Sequence, residues 1–177
     1  MKLKEVSKIT AGYYFRSSVA GFGDGAVRLI QPSDLDNFNA EKLNMIDAPK
    51  TELEGGDILL SNRGKFRAMI MPIDGDFVFP SSIYAIRLIS KKYIPEFVMV
   101  YLNSDSGQAQ LLYLSSGSHI SNLTKTALEN FELPEVSLEG QSKIAEIDMD
   151  LSKYRSSTTK KANLLEAIKN SVIKELK

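Results

Sequence analysis

Beyond residue 137 the chain changes in kind: no proline and a single glycine, Gly140, occur through Lys177. Stepping alternately by three and four residues from Ile144 reaches Ile147, Leu151, Tyr154, Thr158, Lys161, Leu165, Ile168 and Val172. Seven of those nine positions are apolar, which makes a heptad seam with a polar gap in its middle. Ser137 can cap such a helix, and Glu139 puts an acid in its first turn, the favourable sign for that end of the dipole. Drawn as one helix, residues 138–177 extend about 60 Å, roughly twice the width of a domain of this size. The helix therefore cannot lie wholly against its own core, and its distal seam must find another helix. The competing reading folds the helix back on the domain and breaks it at Arg155–Asn163 (RSSTTKKAN), where Ser and Thr are poor helix formers. Against it, the seam resumes in phase after the gap, which a random break would not preserve.

Residues 1–137 read differently. Ala26–Ile30, Asp57–Leu60, Ala68–Met71 and Phe77–Phe79 are short apolar runs, separated by turn signals at Gly55-Gly56-Asp57 and Asp74-Gly75-Asp76. Ser82–Ile89 is longer and apolar on both faces, the pattern of a strand buried on both sides. Pro95–Asn103 fits a helix with Pro95 in its first turn and Phe97, Val98, Tyr101 and Leu102 on one face. Gly107–Leu114 fits another, and a short one follows Asn122 or Thr124 as cap. Phe131–Val136, with Pro134, reads as an edge or terminal strand. The fold class is α+β, with a mainly β core and short helices over 1–137, then one long C-terminal helix of coiled-coil type over 138–177.

Composition narrows the chemistry. The chain has no cysteine, which excludes disulfides, thiolate zinc sites and cysteine nucleophiles. With one histidine, His119, a metal site would have to be built almost wholly from carboxylates, and none is expected. The N-terminus has no apolar signal region and no apolar run approaches a membrane span, so a cytoplasmic location is the default expectation. Gly21–Gly25 is glycine-rich but lacks the spacing of a dinucleotide loop. No P-loop, H-E-x-x-H, G-x-S-x-G or Asn-Pro-Pro-Tyr motif occurs. Pro32-Ser33-Asp34 with Glu41-Lys42 has the wrong spacing for a nuclease site, because no residue separates Glu41 from Lys42. No catalytic residue is expected.

Three features look like binding. Ser61–Arg67 follows an apolar strand and alternates Arg63, Lys65 and Arg67, so an extended segment would aim all three cations to one side. Arg can grip a phosphate or a guanine edge, and Asn62 can read adenine. The alternative is a solvated hairpin edge whose charges deter aggregation. Ser115–Asn122, with Ser116, Ser118, His119 and Asn122, is a polar loop followed by Lys125; its hydroxyls and amides suit a phosphate, or ordinary capping. Tyr13, Tyr14 and Arg16 form an aromatic–cationic loop after Gly12, suited to stacking or to a hydrophobic anchor. The 22 basic and 22 acidic residues cancel overall, but 14 against 17 lie up to residue 140 and 8 against 5 after it. Any DNA contact must then come from local cation clusters, because the first part has no global basic field.

The order of motifs completes the reading. KLKEVSKITAG, GDILLSNRG, Pro95-Glu96-Phe97 at a helix start, and LSSGSHISNLTKTALENFELPEVSLEGQSKIAEI occur in sequence. Together they resemble the DNA-specificity (target-recognition) domain of type I restriction–modification systems, with one of that family's conserved helices. Gly140, between Glu139 and Gln141, departs from the family's usual Pro-Pro or Pro-Leu pair before Glu-Gln. Full-length specificity subunits carry two such domains and two helices that pair antiparallel. The resemblance thus implies a half-subunit that homodimerises through its C-terminal helix. It also implies a non-catalytic protein that recognises a bipartite site on double-stranded DNA. Such a protein positions a methyltransferase subunit, which alone carries S-adenosylmethionine, and in some systems a restriction subunit. The alternative from another class is an adaptor that docks a partner through its helix without binding DNA.

Overall fold

The computed structural model describes residues 1–15, 27–115 and 122–175. Its strands in chain order are β1 (Ser7–Ala11), β2 (Val27–Leu29), β3 (Asn44–Ile46), β4 (Thr51–Leu53), β5 (Ile58–Ser61), β6 (Ala68–Ile70), β7 (Gly75–Val78) and β8 (Ile83–Leu88). Four helices follow: α1 (Pro95–Asn103), α2 (Asp105–Ser115), α3 (Lys125–Glu129) and α4 (Leu138–Glu175).

The architecture grows from β8. Its apolar residues on both faces let it take a central position, antiparallel to β1 on one side and β5 on the other, in a sheet ordered β1-β8-β5-β6. Tyr84 and Ile86 face one core with Ile9, Ile58 and Leu60, and Phe97, Val98, Leu102, Leu111 and Leu128 of α1–α3 close over it. Ile83 and Ala85 face the opposite core with Leu59, Phe77, Phe79 and Leu53, which joins the first sheet to a second ordered β3-β2-β7-β4. Two apolar faces on one strand thus become two packed interfaces. At about 25 cal/mol per Å² of apolar area buried, that makes β8 a main contributor to stability. In the second sheet β2 and β7 run parallel while the other pairs are antiparallel.

An ion-pair clamp reinforces the sheet. Arg87 on β8 donates from Nε to Asp57 Oδ1 (2.8 Å) and from Nη2 to Asp57 Oδ2 (2.7 Å). Its Nη1 reaches Glu54 Oε1 (2.6 Å) and its Nη2 the Glu52 carbonyl (2.9 Å). Hydrogen bonding to Asp57 raises the Arg87 pKa above its ordinary value despite some desolvation. Asp57 is 3% exposed, so this bidentate pair fixes a buried carboxylate between β4 and β5.

Three strands lie where the sequence shows no apolar run. β1 has only Ile9 facing inward with Ser7, and β3 and β4 are three residues each, too short for periodicity to register. The opposite correction applies to Phe131–Val136. It forms one isolated bridge, Lys2 with Glu132, framed by Leu3 N–H to Phe131 O (2.8 Å) and Leu133 N–H to Met1 O (2.8 Å). Pro134 has no N–H to extend the ladder.

α4 is a single helix of 38 residues, about 57 Å long. The break considered at Arg155–Asn163 does not occur; Thr158 Oγ1 turns back to the Tyr154 carbonyl (3.0 Å) and the helix continues. Ser137 caps its start, accepting from Gly140 N–H (3.2 Å). Gln141 is fully buried and acts as the joint. Its Oε1 accepts from Ile94 N–H (3.0 Å), and its Nε2 donates to the carbonyls of Lys92 and Val136 (2.9 Å each). Gly140, the departure noted above, has its reason here: a Cβ would come within 2.8 Å of Val136 Cγ1. From Ser142 to Ser171 only Ala145 and Asp148 are even half-buried, so the helix leaves the domain as its length demands.

Candidate nucleic-acid interface

The turn at Pro80–Ser82, just before β8, gathers the three sequence features. Tyr13 pairs with Pro80 as a parallel bridge: its N–H donates to Phe79 O (2.7 Å), and Ser81 N–H donates to Tyr13 O (2.8 Å). The approach needs Gly12, since a Cβ there would lie 2.1 Å from the Pro80 carbonyl oxygen. On the other side, Asn62 N–H donates to Ser82 O (2.9 Å) and Asn62 Nδ2 to Ser81 O (2.8 Å). Asn62 O in turn accepts from Leu123 N–H (2.9 Å), and Arg63 bridges Asn122. One turn therefore holds the tyrosine loop, the cationic hairpin and the end of the polar loop together.

Asn62 is 2% exposed and spends its side-chain amide on Ser81, so it orders the site from within and does not read adenine. The extended, one-sided row of cations is also corrected. Gly64 adopts φ +69°, which turns the chain as a hairpin between β5 and β6, and Phe66 is buried in the core. Ser61 closes that hairpin, donating to Lys65 O (2.7 Å) and accepting from Arg67 N–H (2.8 Å). Arg67 turns to Asp36 (2.6 Å), while Arg63 and Lys65 stay exposed without an ion pair among the described residues. Lys125 at the start of α3 is exposed and reaches Glu129 at 3.9 Å. Thr124 caps that helix, accepting from Ala127 N–H (3.2 Å).

Beneath these loops Tyr84 donates its hydroxyl to Leu123 O (3.0 Å). Burial pushes its pKa up; the Asn62 side chain, the Arg63 charge and the Lys125 backbone pull the other way. The segment leading into α3 is thus tied to the core of β8 through one phenol. Arg16, Ser116, Ser118 and His119 lie outside the described residues, as does the side chain of Val172.

Tyr14 is 73% exposed, and Tyr13, stacked edge-on against Phe15, is half-exposed. Both line a cleft of about 520 Å³ between the sheets with Lys8, Thr10, Lys50 and Thr51. Sequence reasoning did not single out Lys8, Lys50 or the Pro80–Ser82 turn; the Pro-Ser-Ser run before the longest strand was the available signal. Exposed cations beside exposed phenols and hydroxyls suit a phosphate-bearing, base-bearing ligand. The Asp34 of the rejected nuclease pattern caps a 3-10 turn, accepting from Gln31 N–H (2.7 Å). Among the described residues no group of three or more His, Asp or Glu could hold a metal ion, and no helix is long and apolar enough to cross a membrane.

The seam residues Ile144, Ile147, Leu151, Tyr154, Leu165 and Ile168 are all exposed, from 37% at Ile144 to 72% at Tyr154. Among the described residues, nothing in the chain's own globular part covers them.

Comparison with known proteins agrees with the fold. The HsdS subunit from Thermoanaerobacter tengcongensis superposes with a TM-score of 0.67 at 21% identity, over 92% of this chain and 39% of that one. A chain from a study of complex assembly and conformational transition of the type I R-M system gives 0.69 at 21% identity, over 92% and 40%. The S subunit of a type I restriction-modification system from M. genitalium gives 0.58 at 16% identity, over 88% and 40%. The chain thus spans about two fifths of the length of each, and the likeness is one of fold. No curated protein matches the sequence. A model of the type I restriction modification DNA specificity domain matches residues 1–170. Proteins of this kind are recognition subunits without a catalytic centre, and the chain belongs to that family of type I restriction modification DNA specificity domains.

Proposed function

We propose that this chain is the sequence-recognition element of a DNA modification complex. Its globular part, residues 1–137, reads one half of a bipartite site on double-stranded DNA. Its C-terminal region, residues 138–177, pairs with a second copy through α4 and docks a methyltransferase subunit that supplies S-adenosylmethionine. The observation that carries the reading is the family match over residues 1–170, joined to a 38-residue helix whose apolar seam is exposed, with no partner among the described residues. A restriction subunit would join the same assembly in systems that cleave. Two copies related by a twofold axis would read a palindromic bipartite sequence, with helix length fixing the spacer.

In this reading Arg63, Lys65 and Lys125 hold phosphates on one flank of the Pro80–Ser82 turn, and Tyr13, Tyr14 and Lys8 contact the duplex on the other. The turn, pinned by Asn62, keeps the two flanks at fixed separation. The test is adenine methylation by the cognate methyltransferase with and without this chain. Site-specific methylation that depends on the chain supports the proposal; methylation indifferent to it overturns the proposal. Binding to DNA measured against salt separates this reading from the adaptor alternative, because phosphate contacts give a steep negative slope and an adaptor gives none.

A further inference from the structure

The Pro80–Ser82 turn carries polar groups that the fold itself does not use. Its backbone is held from both flanks. Ser81 N–H donates to Tyr13 O (2.8 Å), Ile83 N–H donates to Pro80 O (2.9 Å), and Asn62 donates to the Ser81 and Ser82 carbonyls (2.8 and 2.9 Å). Pro80 fixes its own φ, so the turn is rigid. Yet the Ser81 and Ser82 hydroxyls, on two half-buried residues, make no hydrogen bond among the described residues.

The neighbouring hydroxyls are engaged. Ser61 closes the β5–β6 hairpin, Thr124 caps α3, and Tyr84 is bound to Leu123 O. Inside the turn, Asn62 is 2% exposed, and its Oδ1 accepts no hydrogen bond among the described residues. A buried acceptor left unpaired is destabilising, and this one belongs to the side chain that pins the turn. Two hydroxyls and one amide oxygen thus stand unengaged at one place, between the cationic hairpin and the tyrosine loop. Building on the DNA-recognition reading above, we infer that this turn is the base-reading element of the chain. The Ser81 and Ser82 hydroxyls contact base edges, and Asn62 positions them.

The division of labour follows from side-chain chemistry. Arg63, Lys65 and Lys125 are long, flexible and charged, and a phosphate satisfies them whatever base it carries. A serine hydroxyl is short and turns about a single bond, and it both donates and accepts. On a rigid frame it can match the donor and acceptor pattern of a base edge with little loss of side-chain freedom. The flanks hold the duplex, and the turn between them discriminates.

The test uses the full chain with its cognate methyltransferase on a duplex library of randomised sequence, with methylated adenines and the bases around them mapped by sequencing. Ser81→Ala with Ser82→Ala should keep methylation but relax the preference at one or two adjacent base pairs of the half-site by about tenfold. The salt dependence of DNA binding should stay that of the unaltered chain, because no phosphate contact is lost. Arg63→Glu should do the reverse, lowering the salt slope and leaving base preference intact. An unaltered preference in the double serine variant overturns the inference and makes the serines part of a solvated turn. Weakening that is equal on all sequences, with a reduced salt slope, also overturns it and makes them phosphate contacts. If hydrogen exchange at Ile83 shows that the double variant has opened the turn, Ser81→Ala and Ser82→Ala singly decide by the same measures. Asn62→Ala should broaden preference at the same base pairs with the salt slope unchanged; activity lowered alike on every sequence overturns its positioning role. An unaltered chain that neither binds DNA nor directs methylation overturns the recognition reading itself. That failure is distinct from base preference residing elsewhere on the domain.

Discussion

β8 and α4 both carry apolar residues at regular spacing, and they meet opposite fates. Ile83, Tyr84, Ala85 and Ile86 are at most 7% exposed, while Tyr154, Leu165 and Ile168 are more than half exposed. Periodicity tells which face of an element is apolar; reach decides whether the chain can cover it. β8 spans six residues and lies between two strands and two cores, whereas α4 outruns its domain after about three turns. The first element is satisfied within the chain; the second is left uncovered among the described residues, which is what the proposed pairing with a second copy would answer.

The sharpest way to break this comparison is to damage each element and see what is lost. Ile86→Ala should cost about 2–5 kcal/mol of folding stability, because it leaves a cavity beneath helices that cannot fully collapse into it. Urea denaturation measures it. Leu165→Lys or Ile168→Lys should shift the thermal midpoint of the globular part little, because an exposed substitution lies within about 0.5 kcal/mol. Either should convert the dimer to a monomer by sedimentation and remove modification activity. An undisturbed dimer would place the seam elsewhere.

Next in size is the clamp of the globular part. Arg87→Met leaves the buried Asp57 carboxylate without its bidentate partner, at a cost of about 2–3 kcal/mol, reduced because Arg87 is one-third exposed. The double variant with Asp57→Asn should recover part of that loss. If Arg87→Met is neutral, the two sheets are joined by apolar packing alone.

Gln141 tests the joint between the two regions. Gln141→Leu strands one N–H and two carbonyls that the amide satisfies, and should cost about 2 kcal/mol. It should also loosen α4 relative to the domain, which hydrogen exchange at Ile94 would detect. Gln141 lies in a motif visible in the sequence, yet its role was not, because an amide facing three backbone groups of another segment leaves no local mark. The same limit explains the interface. The two-sided β8, the helix at Pro95 and the reach of α4 depend on residues near in sequence, and they were legible. The Pro80–Ser82 turn gains its meaning only when Tyr13 and Asn62 arrive from 67 and 19 residues away from Pro80 and Ser81. Arg67 looked equivalent to Arg63 and Lys65 until Asp36, 31 residues upstream, claimed it.

That inequality among cations is itself measurable. Arg63→Glu with Lys65→Glu should weaken DNA binding across sequences and lower the salt slope by about 2, or about 1 per lost phosphate contact. Arg67→Glu should act less on DNA, because that guanidinium is already engaged. Equal effects from all three would restore the one-sided row of cations.

The smallest effect lies beneath the same loops. Burial raises the pKa of Tyr84, and desolvation, aided by Glu135, raises that of Tyr93. A phenol whose folded pKa exceeds its unfolded value of about 10 contributes its full stability below that pH. As pH rises further, the unfolded chain releases the proton first, so stability falls until the folded phenol ionises as well. Urea midpoints should therefore hold steady to about pH 9 and decline above it. Tyr84→Phe should flatten part of that decline while giving up the hydrogen bond to Leu123, worth about 1 kcal/mol at every pH. The slope belongs to the globular part, so it should persist in the Leu165→Lys monomer. Its disappearance there would mean that the helix pair, rather than β8, sets the stability of the fold.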